Sequence, residues 1–248
     1  RCGRKRVARL MSLRGLAGRC RRRFKPTTIA DPEARDLAPD LLKRAFSPAT
    51  VALNRAWVGD ITYLRILNTF AYLSIITDAY SHKIVGYKLH PTLHAQGAID
   101  ALLMAAKDPK KTRELIHHSD RGSQYCCADY VREIEGLGMA LSMTEKGDPY
   151  ENAIAERVNG ILKQEMELGS VFQNFEAARK AVDEAVRKYN HLRPHDSCSR
   201  LTPAKAHEQK GILIKYWKPK KYSQKMKVNL RSTDTAIKTA HLSDFMAT

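Results

Sequence analysis

Residues 57–66 read WVGDITYLRI, residues 70–77 read FAYLSIIT and residues 83–89 read KIVGYKL. Trp57 to Ile66 alternates apolar and polar side chains, the period-two pattern of a strand with one buried face. The other two runs make two more strands, joined by a polar turn around Asp78 to His82, so the three predict an antiparallel meander. Downstream, Ala95 to Ala106 carries apolar residues at helical spacing, and Glu114 to His118 is a short strand ending in the polar loop Ser119-Asp120-Arg121-Gly122. Cys127 to Leu137 then reads as a helix, Met139 to Thr144 as a strand, and two helices follow. The order βββ, α, β, α, β, α, α predicts an α/β domain on one central sheet. No internal repeat or low-complexity segment interrupts it.

The 248-residue chain carries 43 Lys and Arg against 26 Asp and Glu, a net charge of +17, with 43% apolar residues. That balance allows a buried core and excludes a purely acidic partner-binding protein. No run approaches the roughly 18 apolar residues of a membrane span, and the charged first residues lack the apolar stretch of a signal peptide, so a soluble intracellular protein is expected. The five cysteines (Cys2, Cys20, Cys126, Cys127, Cys198) form no CxxC pair and are read as free thiols. Arg1 stands where an initiator Met would, which reads as a fragment of a longer protein.

The charge is concentrated at the start. Eleven Lys or Arg and no acid lie between Arg1 and Lys25, with Val7, Leu10 and Met11 at helical spacing. Eleven like charges repel one another unless an anion is present. This composition predicts a short basic helix and an arm that neutralises phosphates, a frayed solvated terminus being the competing reading. Pro26, Pro32, Pro39 and Pro48 then mark a linker.

Three carboxylates stand where carboxylates are costly or close to ligands. Asp60 lies in mid-strand on the face of Val58, Thr62 and Leu64, although an edge Asp in water would read the same way. Asp120 ends a strand, where open α/β sheets bind ligands, although turn-forming Asp residues are common there too. Asp148 as N-cap, Pro149 at the first helical position and Glu151 three residues after the cap predict a helix starting near residue 149. At about 100° per residue, Ile154, Val158, Ile161 and Leu162 form its apolar stripe, and Asn152, Glu156, Asn159 and Lys163 lie opposite, as an ordinary solvated face would. Glu165 falls near the apolar stripe, a misfit in that pattern. Two carboxylates about 4 Å apart repel by roughly 4 kcal/mol at an effective dielectric near 20, so three gathered together would hold protons or hold metal. Oxygen ligands suit magnesium or manganese, and a pair of such ions serves in-line displacement at phosphorus.

The order Asp60, Asp120, Glu156, with 35 residues between the last two, resembles the DDE triad of the retroviral-integrase catalytic core. The flanks agree with insertion-sequence transposases of the OrfB type, the IS-three family. Trp57-Val58-Gly59-Asp60-Ile61-Thr62-Tyr63 resembles that family's first-Asp strand, and His117-His118-Ser119-Asp120-Arg121-Gly122-Ser123-Gln124-Tyr125 its second-Asp block. Glu151-Asn152-Ala153-Ile154-Ala155-Glu156 with Leu162-Lys163-Gln164-Glu165 resembles the third, and Tyr189-Asn190-His191-Leu192-Arg193-Pro194-His195 with Leu201-Thr202-Pro203 the block that closes the core. Glu151, where the family commonly has Asp, and Arg157, where it has Ser, depart from the pattern.

The resemblance covers about Val51 to Glu208. It implies an RNase-H-like fold, a mixed five-stranded sheet flanked by helices with a short basic helical N-terminal extension. The expected plan is a DNA-binding arm over 1–25, the remnant of a helix-turn-helix extension, a linker over 26–50, the catalytic core over 51–208 and a C-terminal tail over 209–248. The implied activity is metal-dependent strand cleavage at element ends and strand transfer, with Asp60, Asp120 and Glu156 as metal ligands for Mg2+ or Mn2+, two ions with DNA bound. Lys163 is expected to touch DNA near the scissile phosphate, with Asn152 and Asn159 beside it. Arg4, Lys5, Arg6, Arg21, Arg22 and Arg23 supply the arm's contacts. Partners are the element's terminal repeats and target DNA, a homo-oligomer on DNA and a separate recognition protein from an upstream reading frame, in a cytoplasmic, nucleoid-associated setting with no membrane. His90 with His94 and His191 with His195 have metal-like spacing, but prolines interrupt both pairs and zinc is not expected. The alternatives are an RNase-H-like nuclease without strand transfer and a truncated, non-catalytic DNA-binding inhibitor.

Overall fold

The computed structural model describes residues 2–16, 38–43, 52–107, 112, 114–144 and 152–216. These belong to one compact unit, Arg1–Tyr216. The first element is the basic helix α1 (Arg4–Leu13), which begins at Gly3 without a side-chain cap and buries none of its residues. Arg4, Lys5 and Arg6 are exposed on it, whereas Arg21, Arg22 and Arg23 lie outside the described residues.

The meander forms as its alternation predicts. β1 (Ala56–Ile66) and β2 (Thr69–Asp78) pair antiparallel from Ile66↔Thr69 to Trp57↔Asp78, and β3 (Ile84–His90) pairs with β2. α2 (Gln96–Ala105) then crosses back over the sheet. It packs so closely on β3 that a Cβ on Gly86 would stand 2.1 Å from the Ala101 carbonyl oxygen, so only glycine fits. β4 (Ile116–Ser119) runs parallel to β1, α3 (Ser123–Cys126) and α4 (Ala128–Gly136) follow, and β5 (Ala140–Met143) lies parallel to β4. After α5 (Ala153–Gln164), a two-residue strand β6 (Val171–Phe172) joins the far end of β1. The expected five strands form the path β3-β2-β1-β4-β5, and β6 makes a sixth, too short to leave a period in the sequence.

Alternation along β1 divides the core. Val58 and Leu64 face Val158, Ile161 and Leu162 of α5 and Val182, Ala185 and Tyr189 of α6 (Phe175–His191). Trp57 faces the other way, into the cluster of Leu102, Tyr130, Ile134 and Met143. Helices therefore cover both faces of the sheet, as a mixed sheet with buried faces requires.

Three stretches are more tightly built than composition suggests. The Asp78 to His82 turn is buried: Asp78 is 0% exposed, and its carboxylate accepts from the Asn54 N–H and from the Ser81 N–H and hydroxyl. Protein donors replace water there, as a buried carboxylate needs. Residues 38–43, inside the expected linker, are seated on the sheet, with Ala38, Asp40 and Leu42 at 6%, 6% and 7% exposure. Packing also continues past Glu208 and past α7 (Pro203–His207), because the Tyr80 hydroxyl donates to the Gly211 carbonyl and Ser199 bonds Ile214 in both directions. The closing block locks α6 onto β3, with the Asn190 amide bonding both backbone groups of Ile84 and the Tyr189 hydroxyl donating to the His82 carbonyl. Cys2, Cys126, Cys127 and Cys198 are free thiols. No helix among the described residues is long and apolar enough to cross a membrane.

Candidate active site

β1 and β4 are parallel neighbours with Val58 opposite His118, so continuing the register two residues sets Asp60 abreast of Asp120. Adjacent strands lie about 4.8 Å apart, and two carboxylates at that spacing repel. Asp60 keeps some solvent exposure at the mouth of the site although protein atoms surround it. Its carboxyl is pushed up to about 7, by burial first and then by Asp120, with a smaller contribution from Glu156. Two hydrogen bonds oppose the rise: the Ile61 N–H donates to Oδ1 at 2.9 Å and the Asn159 amide to Oδ2 at 2.6 Å. Burial also raises Asp120, whose Oδ1 accepts the Gly122 N–H at 3.0 Å.

Two members of the polar stripe of α5 reach β1. Asn152 and Asn159, expected at the DNA surface, are 6% and 8% exposed, and the Asn152 amide donates to the Gly59 carbonyl just as Asn159 donates to Asp60. Both amides therefore brace the strand that carries Asp60. Burial lowers the Lys163 ammonium, and the nearby Asp60 partly restores it. Glu156 stands exposed in the first turn of α5. Asn152 stands at the N-cap position of that helix without a side-chain cap, and the Asp148 to Glu151 start signal lies outside the described residues. The misfit at Glu165 resolves outside the helix, where its carboxylate binds the Arg193 guanidinium through two hydrogen bonds.

Behind the acids lies an aromatic layer that sequence reasoning missed. The Tyr130 hydroxyl and His117 Nε2 are 2.8 Å apart, and Tyr125 packs beside both rings. Gly59 makes room for it: a Cβ there would meet His117 Cε1 at 3.1 Å and Tyr125 Cε1 at 3.4 Å. A glycine inside a strand pattern, next to an acid, was the available signal of such an approach. Several buried polar atoms around the site have no hydrogen-bond partner among the described residues, including the Tyr125 hydroxyl, Arg121 Nη1 and the Oδ1 atoms of Asn152 and Asn159.

The arrangement suits a hard divalent cation in donor chemistry: carboxylate oxygens that repel one another, with further amide oxygens left over. It is also open. Among the described residues, no three His, Cys, Asp or Glu side chains stand close enough to hold a metal ion.

Two integrase core domain models match the chain, at residues 51–149 and 137–203. A transposase of insertion sequence element IS986/IS6110 from Mycobacterium tuberculosis is 35% identical over 203 residues, covering 79% of this chain and 72% of the relative. Transposase InsF for insertion sequence IS3A of Escherichia coli K12 is 35% identical, covering 80% and 68%. Among solved structures, a chain of a simian T-cell lymphotropic virus intasome superimposes with a TM-score of 0.56 at 22% identity, covering 78% of this chain and 66% of that one. The HTLV-2 integrase catalytic core domain in complex with magnesium gives 0.52 at 20% identity, covering 63% and 98%. At that identity the likeness concerns the fold, which is RNase-H-like.

Proposed function

The chain belongs to the integrase-core transposases of the IS6110 and IS3 type, and from that premise we propose that it cleaves and joins DNA strands at the ends of a mobile element, using Asp60, Asp120 and Glu156. The family acts in DNA transposition and integration. The observation that carries the finer reading is the Asp60–Asp120 juxtaposition. Two neighbouring parallel strands deliver two carboxylates to one end of the sheet, where Asp60 is raised to about 7 by burial and by Asp120. Like charges gathered so closely are relieved by a proton or by a cation, and the oxygen donors here suit a hard cation.

Asp60, Asp120 and Glu156 would hold the cations, Mg2+ or Mn2+ and two with DNA bound. Such ions neutralise phosphodiester charge and lower the pKa of an attacking hydroxyl. The chain's own groups orient the site. Asn159 fixes one Asp60 oxygen and the Ile61 N–H the other, the Gly122 N–H fixes Asp120, and Asn152 holds the Gly59 carbonyl. Glu156 approaches from α5, and Lys163 carries positive charge toward a bound phosphate. In the first step water attacks phosphorus and the 3′ oxygen leaves, exposing a 3′ hydroxyl. In the second that hydroxyl attacks a target phosphodiester, whose own 3′ oxygen leaves. No protein nucleophile takes part.

The arm over residues 1–25 holds DNA by its phosphates, the core over 51–208 does the chemistry, and residues 26–50 and 209–248 flank it. Two element ends must be handled together, which calls for several copies of the chain on DNA. Sequence recognition of those ends falls to a separate upstream-frame protein, and the reaction takes place at the bacterial nucleoid.

A pre-nicked element-end duplex incubated with target DNA and Mg2+ tests this reading. Joined products are expected. Cleavage without joining would make the chain a nuclease, and DNA binding without either reaction would make it an inhibitor.

A further inference from the structure

β5 is the edge strand of the sheet, four residues long and paired only with β4 along the strand path. Thr144, the residue that follows it, nevertheless brackets Asp120. The Thr144 N–H donates to the Ser119 carbonyl on one side, and the Arg121 guanidinium donates to the Thr144 carbonyl on the other. The position of Asp120 therefore depends on that of β5. A short, parallel edge strand is a weak support unless its open side is covered.

Residues 38–43 cover it. The Met143 N–H donates to the Pro39 carbonyl at 3.4 Å and the Leu41 N–H to Ser142 Oγ at 2.9 Å. Ser142 Oγ lies 2.8 Å from His118 Nδ1, on the strand that leads to Asp120. Ser142 Oγ thus bridges the Leu41 N–H of the segment and the His118 ring. The segment turns at Asp40, whose Oδ1 accepts the N–H groups of Leu42 and Lys43, each at 2.9 Å. Asp40 Oδ1 also lies 3.9 Å from His118 Nδ1, with both side chains buried. Ala38 anchors the segment in the apolar cluster on one face of the sheet, and Leu42 in the cluster on the other, which contains Ile154 and Ala155 of α5.

We propose that residues 38–43 are a strap that holds Asp120 in its metal-binding position, with Asp40 and Ser142 as positioning residues that act through β5 and His118. The proposal rests on Asp120 being a metal ligand. The strap lies in the chain between the basic helix and the catalytic strands, so it links the DNA-holding arm to the end of the sheet where the acids meet.

The test uses the full chain. Asp40→Ala removes the turn's acceptor, Ser142→Ala removes only the bridging hydroxyl, and Asp40→Asn keeps an oxygen for the Leu42 and Lys43 N–H groups. Amide exchange over residues 116–122 is measured without metal, and Mn2+ binding by calorimetry. Both alanine variants should exchange faster over 116–122 and bind Mn2+ on the order of tenfold more weakly, with DNA affinity unchanged, while Asp40→Asn behaves like the unmutated chain. Unmutated exchange and Mn2+ affinity in the alanine variants would overturn the strap, even if their melting temperatures fall. Should Asp40→Ala not fold, Ser142→Ala decides the matter. Asp120→Asn separates the two readings: if it binds Mn2+ normally, the site assignment has failed, and the exchange rates alone judge the strap.

Discussion

Asn159 reaches from α5 to β1 and donates its side-chain amide to Asp60 Oδ2 at 2.6 Å. This bond ties the helix that carries Glu156 to the strand that carries Asp60, so it sets both the charge on one acid and the approach of another. Hydrogen bonds to charged groups contribute about 1.5–3 kcal/mol. Asn159→Ala should lower folding stability by an amount in that range, measured by urea titration, and raise the half-saturating Mg2+ concentration for strand cleavage on the order of tenfold. Unchanged metal dependence would show that Asn159 only packs the helix.

The repulsion between Asp60 and Asp120 predicts opposite effects on stability and activity. Asp60→Asn removes one of two neighbouring like charges and keeps the side chain's shape, and Asn159 can turn its unpartnered Oδ1 toward the new amide. The metal-free variant should melt at a higher temperature than the unmutated metal-free chain, yet show no cleavage. A ligand present at 100 times its dissociation constant stabilises by about 2.7 kcal/mol, so Mn2+ should raise the melting temperature of the unmutated chain and leave that of Asp60→Asn in place. Equal Mn2+ shifts in the two proteins would count against Asp60 as a ligand.

Gly59 sits under the aromatic layer. An alanine Cβ would require His117 to give way by a few tenths of an ångström, and the Tyr130 hydroxyl, 2.8 Å from its Nε2, resists that. Overpacking of this kind costs about 1–3 kcal/mol. Gly59→Ala should lose stability in that range by thermal melting, and an unchanged melting temperature would show that the His117 ring yields.

The difference between what periodicity reveals and what it hides is visible at Asn152 and Asn159. Helical spacing correctly put Asn152, Glu156, Asn159 and Lys163 on one stripe opposite Ile154, Val158, Ile161 and Leu162, and those four apolar residues are buried. It could not say what the polar stripe meets, because amides turned to a strand's carbonyl and carboxylate and amides turned to water leave the same pattern. The three-stranded meander was legible for a related reason: long alternating runs specify their buried face. β6, with two residues, and α3, with four, are too short for a period to repeat in them. Asp40 was hidden by composition, since proline-rich, mixed-charge segments read as tethers whether or not a few of their residues dock.

Burial holds three imidazoles below the usual histidine range: His117 and His195 at about 3 and His82 at about 4, against an ordinary value of 6.5. Each binds a proton in the unfolded chain at a pH where the folded chain refuses it. Their contribution to stability is therefore complete above about pH 6.5 and is lost as pH falls toward about 4 and 3, by about 1.4 kcal/mol per pH unit for each group. His82 allows a clean test, because its φ of 59° lies in the left-handed region that asparagine tolerates and its carbonyl, not its ring, accepts the Tyr189 hydroxyl. His82→Asn should lose less stability than the unmutated chain between pH 7.5 and pH 4.5 in urea titrations. Parallel pH profiles would place the acid lability elsewhere.

The basic helix makes a prediction about salt rather than shape. Arg4, Lys5 and Arg6 are exposed on an element that buries none of its residues, so their charge is available to a polyanion and contributes little to the fold. Each phosphate contact contributes about 0.9 to the slope of log affinity against log salt for duplex DNA. Replacing all three by alanine should leave the melting temperature unchanged and reduce that slope by up to about 2.7, at three contacts of about 0.9 each, measured by fluorescence anisotropy on any duplex. If the slope stays the same while Lys163→Ala reduces it, DNA is held by the core face and α1 serves another partner.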